Sequence, residues 1–155
     1  MKKLLYTFLL IPFLFGCDDD NFYDSEQFII DDTAIIEQYI ADNNLDAQVD
    51  NNVYYVIEEE GTGTEFPDAF AELSMAYRGY LLDGTEFDMA TTINPLNINL
   101  SETIPGWRVG IPKFKKGGKG KLLIPSPFAY ANSPVGNIPP NSILIFDIEL
   151  LDFTN

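Results

Sequence analysis

The chain has 155 residues, 46% of them hydrophobic and 14% aromatic, which is material for one ordinary domain with a short extension and leaves no room for a second catalytic domain. It has no histidine and one cysteine, Cys17, which excludes Ser/His/Asp and Cys/His nucleophile systems, His-ligated zinc and an internal disulfide. The formal net charge of −15 repels a phosphate backbone, so no nucleic acid partner is expected.

Lys2 and Lys3 precede an apolar run over residues 4–15, and Gly16 and Cys17 follow at once. This is the layout of a signal peptide, and the run is shorter than the roughly 20 residues that a spanning helix needs. Leu14-Phe15-Gly16-Cys17 also resembles the bacterial lipobox, which implies cleavage before Cys17 and acylation of that residue. Each buried methylene contributes about 0.8 kcal/mol, and more than one acyl chain holds a protein stably on a bilayer. The expected location is the cell envelope, lipid-anchored to a membrane on a periplasmic or outer-membrane face. Asp18, Asp19 and Asp20 behind the anchor read as a self-repelling tether. They also resemble sorting signals that point to opposite membranes in different lineages.

Residues 18–32 are acidic and turn-forming, and are expected to be a linker with Phe22, Tyr23, Phe28, Ile29 and Ile30 as apolar points. Asp32 or Thr33 is placed to N-cap a short helix in which Ile35, Ile36, Tyr39 and Ile40 recur at helical spacing, ending at Asn43-Asn44. Strands are predicted over 53–57, 71–82, 97–100, 120–125 and 143–152, with turns at Gly61-Thr62-Gly63 and Asp83-Gly84. Ser101-Glu102-Thr103-Ile104 leads into Pro105, a residue favoured at the first helical position, and Gly110 with Pro112 is expected to end that helix. The only tryptophan, Trp107, lies on it. The strands show no βαβ rhythm, so the fold class is α+β with a mostly antiparallel sheet. Lys113, Lys115, Lys116, Lys119 and Lys121 form a basic run that reads as a solvated loop, or alternatively as a patch for acidic polymer, lipid headgroups or the acidic N-terminal segment.

Tyr77-Arg78-Gly79-Tyr80, Asp83-Gly84 before Phe87-Asp88, Ile104-Pro105-Gly106-Trp107, Ala129-Tyr130, Ile138-Pro139-Pro140-Asn141-Ser142 and Phe146-Asp147-Ile148-Glu149-Leu150-Leu151 stand in one register. In order and spacing they resemble the FK506-binding-protein family of peptidyl-prolyl cis-trans isomerases, over residues 53–153. The resemblance implies a twisted antiparallel sheet wrapped around a short helix, with an N-terminal extension that contains a short helix. The resulting organisation is a signal peptide at 1–16, a lipidated cysteine, acidic linker and short helix at 17–50, and an isomerase domain at 51–155.

That chemistry needs no nucleophile, metal or other cofactor. Resonance opposes rotation about a peptide bond by about 18–20 kcal/mol, and an apolar, water-excluding pocket favours a twisted amide that has lost it. The resemblance implies Trp107 as the floor under a proline ring, Tyr77, Phe87 and Phe146 as walls, and Ile104 beside the floor. Tyr130 would offer a hydroxyl at the mouth, the Ile104 amide would hold a substrate carbonyl, and Asp88 would be the carboxylate at the edge. Leu96 stands where the family usually has an aromatic, Thr103 where it usually has valine, and Ala131 where glycine is common. Expected partners are proline-containing polypeptides among exported or envelope proteins, a macrolide inhibitor, and the membrane through its lipid anchor. A low-turnover peptide-binding chaperone or an envelope-machinery assembly lipoprotein is the alternative.

Overall fold

A computed structural model describes residues 24–155. The apolar run, Cys17 and the three aspartates behind it lie outside the described residues. Among the described residues no helix is long and apolar enough to cross a membrane.

The elements in chain order are α1 (Ser25–Asp42), β1 (Gln48–Asp50), β2 (Val53–Glu59), β3 (Glu72–Tyr80), β4 (Glu86–Ala90), β5 (Leu96–Asn99), α2 (Pro105–Gly110), β6 (Lys119–Ile124) and β7 (Leu144–Thr154). The seven strands form one antiparallel sheet in the order β1-β2-β6-β7-β3-β4. β5 pairs with Glu72 to Met75 of β3 and β4 with Tyr77 to Tyr80, so these two short strands follow one another along β3. The expected α+β architecture, a sheet wrapped around a short helix, is the one found.

Alternation along the strands builds two cores. Val53, Leu122, Ile124, Leu144, Phe146, Ile148 and Leu150 face one side with Trp107 and Ile111 of the α2 region. Tyr54, Val56, Leu123 and Ile145 face the other, where they pack with Ile36 of α1. Side chains alternate across a strand, so this division follows from the sequence once both faces are covered. Ile36 is fully buried, a contribution of about 1.5–3 kcal/mol to docking of α1.

The first helix differs from its expectation. Its N-cap is Asp24, which accepts hydrogen bonds from the amides of Glu26 at 3.0 Å and Gln27 at 3.3 Å. From Ser25 onward, therefore, the acidic stretch read as a linker is helix. Asp32 is not a cap but a buried mid-helix residue. The helix ends as expected: Asn44 takes a left-handed φ of 52°, and the Leu45 amide donates back to the Ile40 carbonyl at 3.0 Å.

α2 ends at Gly110, as expected, but without a left-handed cap. The Gly110 φ of −85° is right-handed and the chain continues into another helical turn, Ile111–Lys113. The reason for the glycine is packing, because a Cβ there would lie 2.5 Å from Leu122, just as one on Gly106 would lie 2.4 Å from Ile124. Two glycines four residues apart let α2 settle onto β6.

The basic run is consumed within the domain. Lys113 pairs with Asp50 at 2.6 Å, Lys115 with Glu60 at 3.4 Å, Lys116 with Asp152 at 2.8 Å and Lys119 with Glu59 at 3.3 Å. Lys121 pairs with Asp147 at 2.5 Å and Glu58 at 3.6 Å. These lysines offset local acids rather than present a free cationic patch.

Candidate active site

On the α2 side of the sheet a cavity of about 500 Å³ opens between β3, β4, β5, α2 and the 130s loop. Tyr77, Phe87, Asp88, Leu96, Thr103, Ile104, Trp107, Tyr130 and Phe146 all line it, so every residue expected at the pocket from the sequence is gathered in one place. Cys17, the expected lipidation site, lies outside the described residues.

Each wall has a local cause. Trp107 sits on α2, which starts at Pro105 with Ile104 as N-cap and is lowered onto β6 by its two glycines. Phe146 projects from β7 and packs edge-to-face on Trp107, ring centroids 5.2 Å apart at 77°. Tyr77 from β3 meets Trp107 at 5.1 Å and 81°, and Phe87 from β4 meets Phe146 at 5.6 Å and 84°. Near-perpendicular rings favour one another through their quadrupoles and fix each other's orientation. On β3 the cross-strand neighbour of Phe146 is Gly79, and on β6 it is Leu122. A Cβ on Gly79 would lie 2.5 Å from Phe87 and 2.9 Å from Phe146, so the glycine is the space that lets the two rings meet.

Depth and polarity are graded. Trp107 and Phe146 are buried, Tyr77, Phe87, Leu96, Thr103 and Ile104 are half-buried, and Asp88 and Tyr130 are exposed at the rim. The Trp107 Nε1–H is buried and has no hydrogen-bond partner among the described residues, so it is the one unsatisfied donor at an otherwise apolar floor. Thr103, which stands where the family usually has valine, donates its hydroxyl to the Leu100 carbonyl at 2.7 Å. Its polarity is spent on the turn that precedes α2.

Asp88 is held from two sides. Its Oδ2 accepts the Tyr77 phenol at 2.5 Å and its Oδ1 accepts the Met89 amide at 2.9 Å. Burial, the hydrogen bond to Asp88 and the negative charge of Asp88 push the Tyr77 pKa well above the usual phenol value, so this hydroxyl stays a donor. Burial and the Asp88 charge likewise raise Tyr130. The site therefore has an aromatic interior, a carboxylate fixed at its edge, and a second protonated phenol at its mouth.

Six further lining residues were given no pocket role from the sequence: Ile98, Glu102, Val135, Gly136, Asn137 and Ile138, the last named only as the start of a family-like motif. Ile98 was within reach, because it lies two residues from Leu96 on a strand and shares its face. The others sit in turns whose placement no periodicity encodes.

Comparison with known proteins places this geometry. The family model for FKBP-type peptidyl-prolyl cis-trans isomerases matches residues 63–151. The FKBP-type peptidyl-prolyl cis-trans isomerase FkpA of Escherichia coli is 43% identical over 117 residues, covering 75% of this chain and 43% of that protein. FK506-binding protein 1 of Saccharomyces cerevisiae is 39% identical over 107 residues, 66% of this chain and 94% of its own length. Among solved structures, FkpA from Escherichia coli superposes with a TM-score of 0.70 at 38% identity, over 83% of this chain and 62% of that one. A peptidyl-prolyl cis-trans isomerase from Pseudomonas syringae pv. tomato gives 0.71 at 28% identity, over 85% and 97%. This chain thus spans less than half the length of the curated FkpA relatives it matches. With the family model covering more than half of its residues, the chain belongs to the FKBP-type peptidyl-prolyl cis-trans isomerase family.

Proposed function

We propose that the chain is a peptidyl-prolyl cis-trans isomerase of the cell envelope, acting on proline-containing segments of exported or envelope proteins. The observation that carries this reading is the aromatic cavity itself, with Trp107 as floor and Tyr77, Phe87 and Phe146 set around it at ring distances of 5.1–6.1 Å. Catalysis proceeds by differential binding. A proline ring seated on Trp107 brings its imide bond into a space without water, where the twisted amide, having lost resonance and charge separation, is favoured over the planar one. Leu96 and Ile104 close the sides. The Ile104 amide at the N-cap of α2 and the Tyr130 hydroxyl hold substrate carbonyls, since the first amides of a helix lack intrahelical acceptors. Asp88 faces the imide carbonyl carbon as that bond twists, kept in place by Tyr77. A macrolide that copies the twisted amide would occupy the same cavity; a yeast relative bears the name FK506-binding protein 1.

The N-terminal sequence supports a signal peptide at 1–16, a lipid on Cys17, and an acidic segment and helix up to residue 50 that join the anchor to the isomerase domain at 51–155. A protease-coupled assay on a short prolyl peptide tests the activity, and correctly folded protein without a rate gain would refute it. Mass spectrometry of the mature N-terminus tests the anchor. The expected mass is that of an acylated Cys17, and an unmodified thiol there would remove the lipid from the proposal.

A further inference from the structure

Among the described residues, two polar side chains are buried, and they are partners of each other. Asp32 of α1 is 5% exposed and Ser126 is fully enclosed. One carboxylate oxygen, Oδ2 of Asp32, accepts both the Ser126 amide and the Ser126 hydroxyl, each at 2.7 Å. The partners lie 94 residues apart, and Asp32 is outside the stretch that the family model matches.

Ser126 opens the helical turn Ser126–Phe128, which leads directly into the pocket mouth. Its carbonyl accepts the amides of Ala129 at 3.0 Å and Ala131 at 2.9 Å, the two residues on either side of Tyr130. Ala131 takes a left-handed φ of 52° there, and its carbonyl accepts the Asn141 amide at 2.7 Å. A continuous set of short bonds thus runs from α1, on the far face of the sheet, to the backbone that flanks the Tyr130 hydroxyl. A carboxylate is costly to bury without partners, and here both of its bonds go to this one turn.

We infer that Asp32 is a positioning residue for the isomerase site: α1 sets the place of Tyr130 through Ser126. The inference rests on the reading of Tyr130 as a substrate-holding hydroxyl. It makes the N-terminal helix part of the apparatus of substrate affinity, beyond its role as a cover for the outer face. Loss of one hydrogen bond to substrate weakens binding by roughly two- to tenfold, so no larger effect can pass through Tyr130.

The test uses the full chain in six forms besides wild type: Asp32→Ala, Asp32→Asn, Ser126→Ala, Tyr130→Phe, the double variant Asp32→Ala with Tyr130→Phe, and the control Glu37→Ala. Affinity for a short prolyl peptide is read from Trp107 fluorescence, turnover from the coupled assay, and folding from urea unfolding. Asp32→Ala is expected to weaken peptide affinity roughly three- to tenfold while kcat changes less than about twofold. Asp32→Asn keeps an acceptor oxygen and is expected to restore most of that loss; Ser126→Ala keeps the amide bond and loses less. The double variant is expected to bind no more weakly than Tyr130→Phe alone. Glu37→Ala, a change on the same helix that removes the acceptor of the 3.1 Å bond from the Tyr54 hydroxyl of β2, is expected to leave affinity unchanged. If Tyr130→Phe weakens binding but neither Asp32→Ala nor Ser126→Ala does, the inference falls and the site reading stands. If the losses multiply in the double variant, Asp32 does not act through Tyr130 and the inference falls again. An unchanged Tyr130→Phe overturns the role of Tyr130 and, with it, this inference.

Discussion

The two faces of the sheet are built from the same strands and do opposite things. On β3 and β7, Tyr77 and Phe146 point into the cavity, while their immediate neighbours Arg78 and Asp147 stand opposite one another on the far side. There Asp147 accepts from Arg78 at 2.9 Å, Tyr80 at 3.1 Å and Lys121 at 2.5 Å. One face is aromatic, short of polar groups and open to a ligand. The other is closed by α1 over Ile36 and bounded by ion pairs. The alternation separates binding from bracing, so a substitution should act on activity or on stability according to the parity of its position.

The largest breach of this division is expected on the pocket side. Phe146→Ala should cost about 3–5 kcal/mol of stability and remove a wall, so activity and unfolding midpoint fall together. Gly79→Ala is a sharper probe, since its methyl would collide first with the pocket rings of Phe87 and Phe146. Overpacking of this kind costs about 1–3 kcal/mol, and peptide affinity should fall with it, read by titration and urea unfolding.

On the bracing side, Asp147→Asn should cost about 1–3 kcal/mol, because Lys121 is left half-paired, while kcat/KM stays within about twofold. Burial works to raise the Asp147 pKa, but hydrogen bonds and charge from Lys121, with Tyr80 and Arg78, hold it below the usual carboxylate value. A carboxylate with a depressed folded pKa contributes stability above its unfolded pKa of about 3.9 and loses it as pH falls through the folded value. The gap in Tm between wild type and Asp147→Asn should therefore be full near neutrality and close below about pH 4. A gap that persists in acid would assign the loss to packing instead. The smallest effect is expected at Ala131, whose left-handed backbone disfavours a Cβ. Ala131→Gly should raise stability by up to about 1 kcal/mol, the relief being partly offset by the freer unfolded chain.

Legibility in the sequence followed this same division. Pocket residues were readable through the family resemblance, whose aromatic and glycine motifs recur here in order and spacing. The residues alone read equally as sheet core, and of the pocket only α2, announced by Pro105, was legible without it. The long strands β2, β3, β6 and β7 were readable from their apolar content. β1 and β4 were not predicted, for Gln48–Asp50 and Glu86–Ala90 are short, polar-rich strands whose pairing is supplied by neighbours. Between β1 and β2, Asn51 and Asn52 both take positive φ, at 45° and 64°, which makes a two-residue hairpin without the glycine that usually signals one. Asp24 and Asp32 are equally good caps in isolation, and only Ser126, far along the chain, decides that Asp32 belongs inside the helix. The lysine pairs were hidden for the same reason: Lys115 and Glu60 are 55 residues apart. The family resemblance carried the site, whereas long-range pairing carried the bracing.

The central claim is that this cavity turns prolyl bonds, and exchange spectroscopy by NMR on a proline tetrapeptide measures that directly. Sub-stoichiometric protein should broaden or exchange the cis and trans signals, and Trp107→Leu, Asp88→Ala and Tyr130→Phe should each slow the exchange, most for Trp107→Leu. Unaccelerated exchange with the folded wild-type chain, or a rate that none of the three variants changes, would contradict the account.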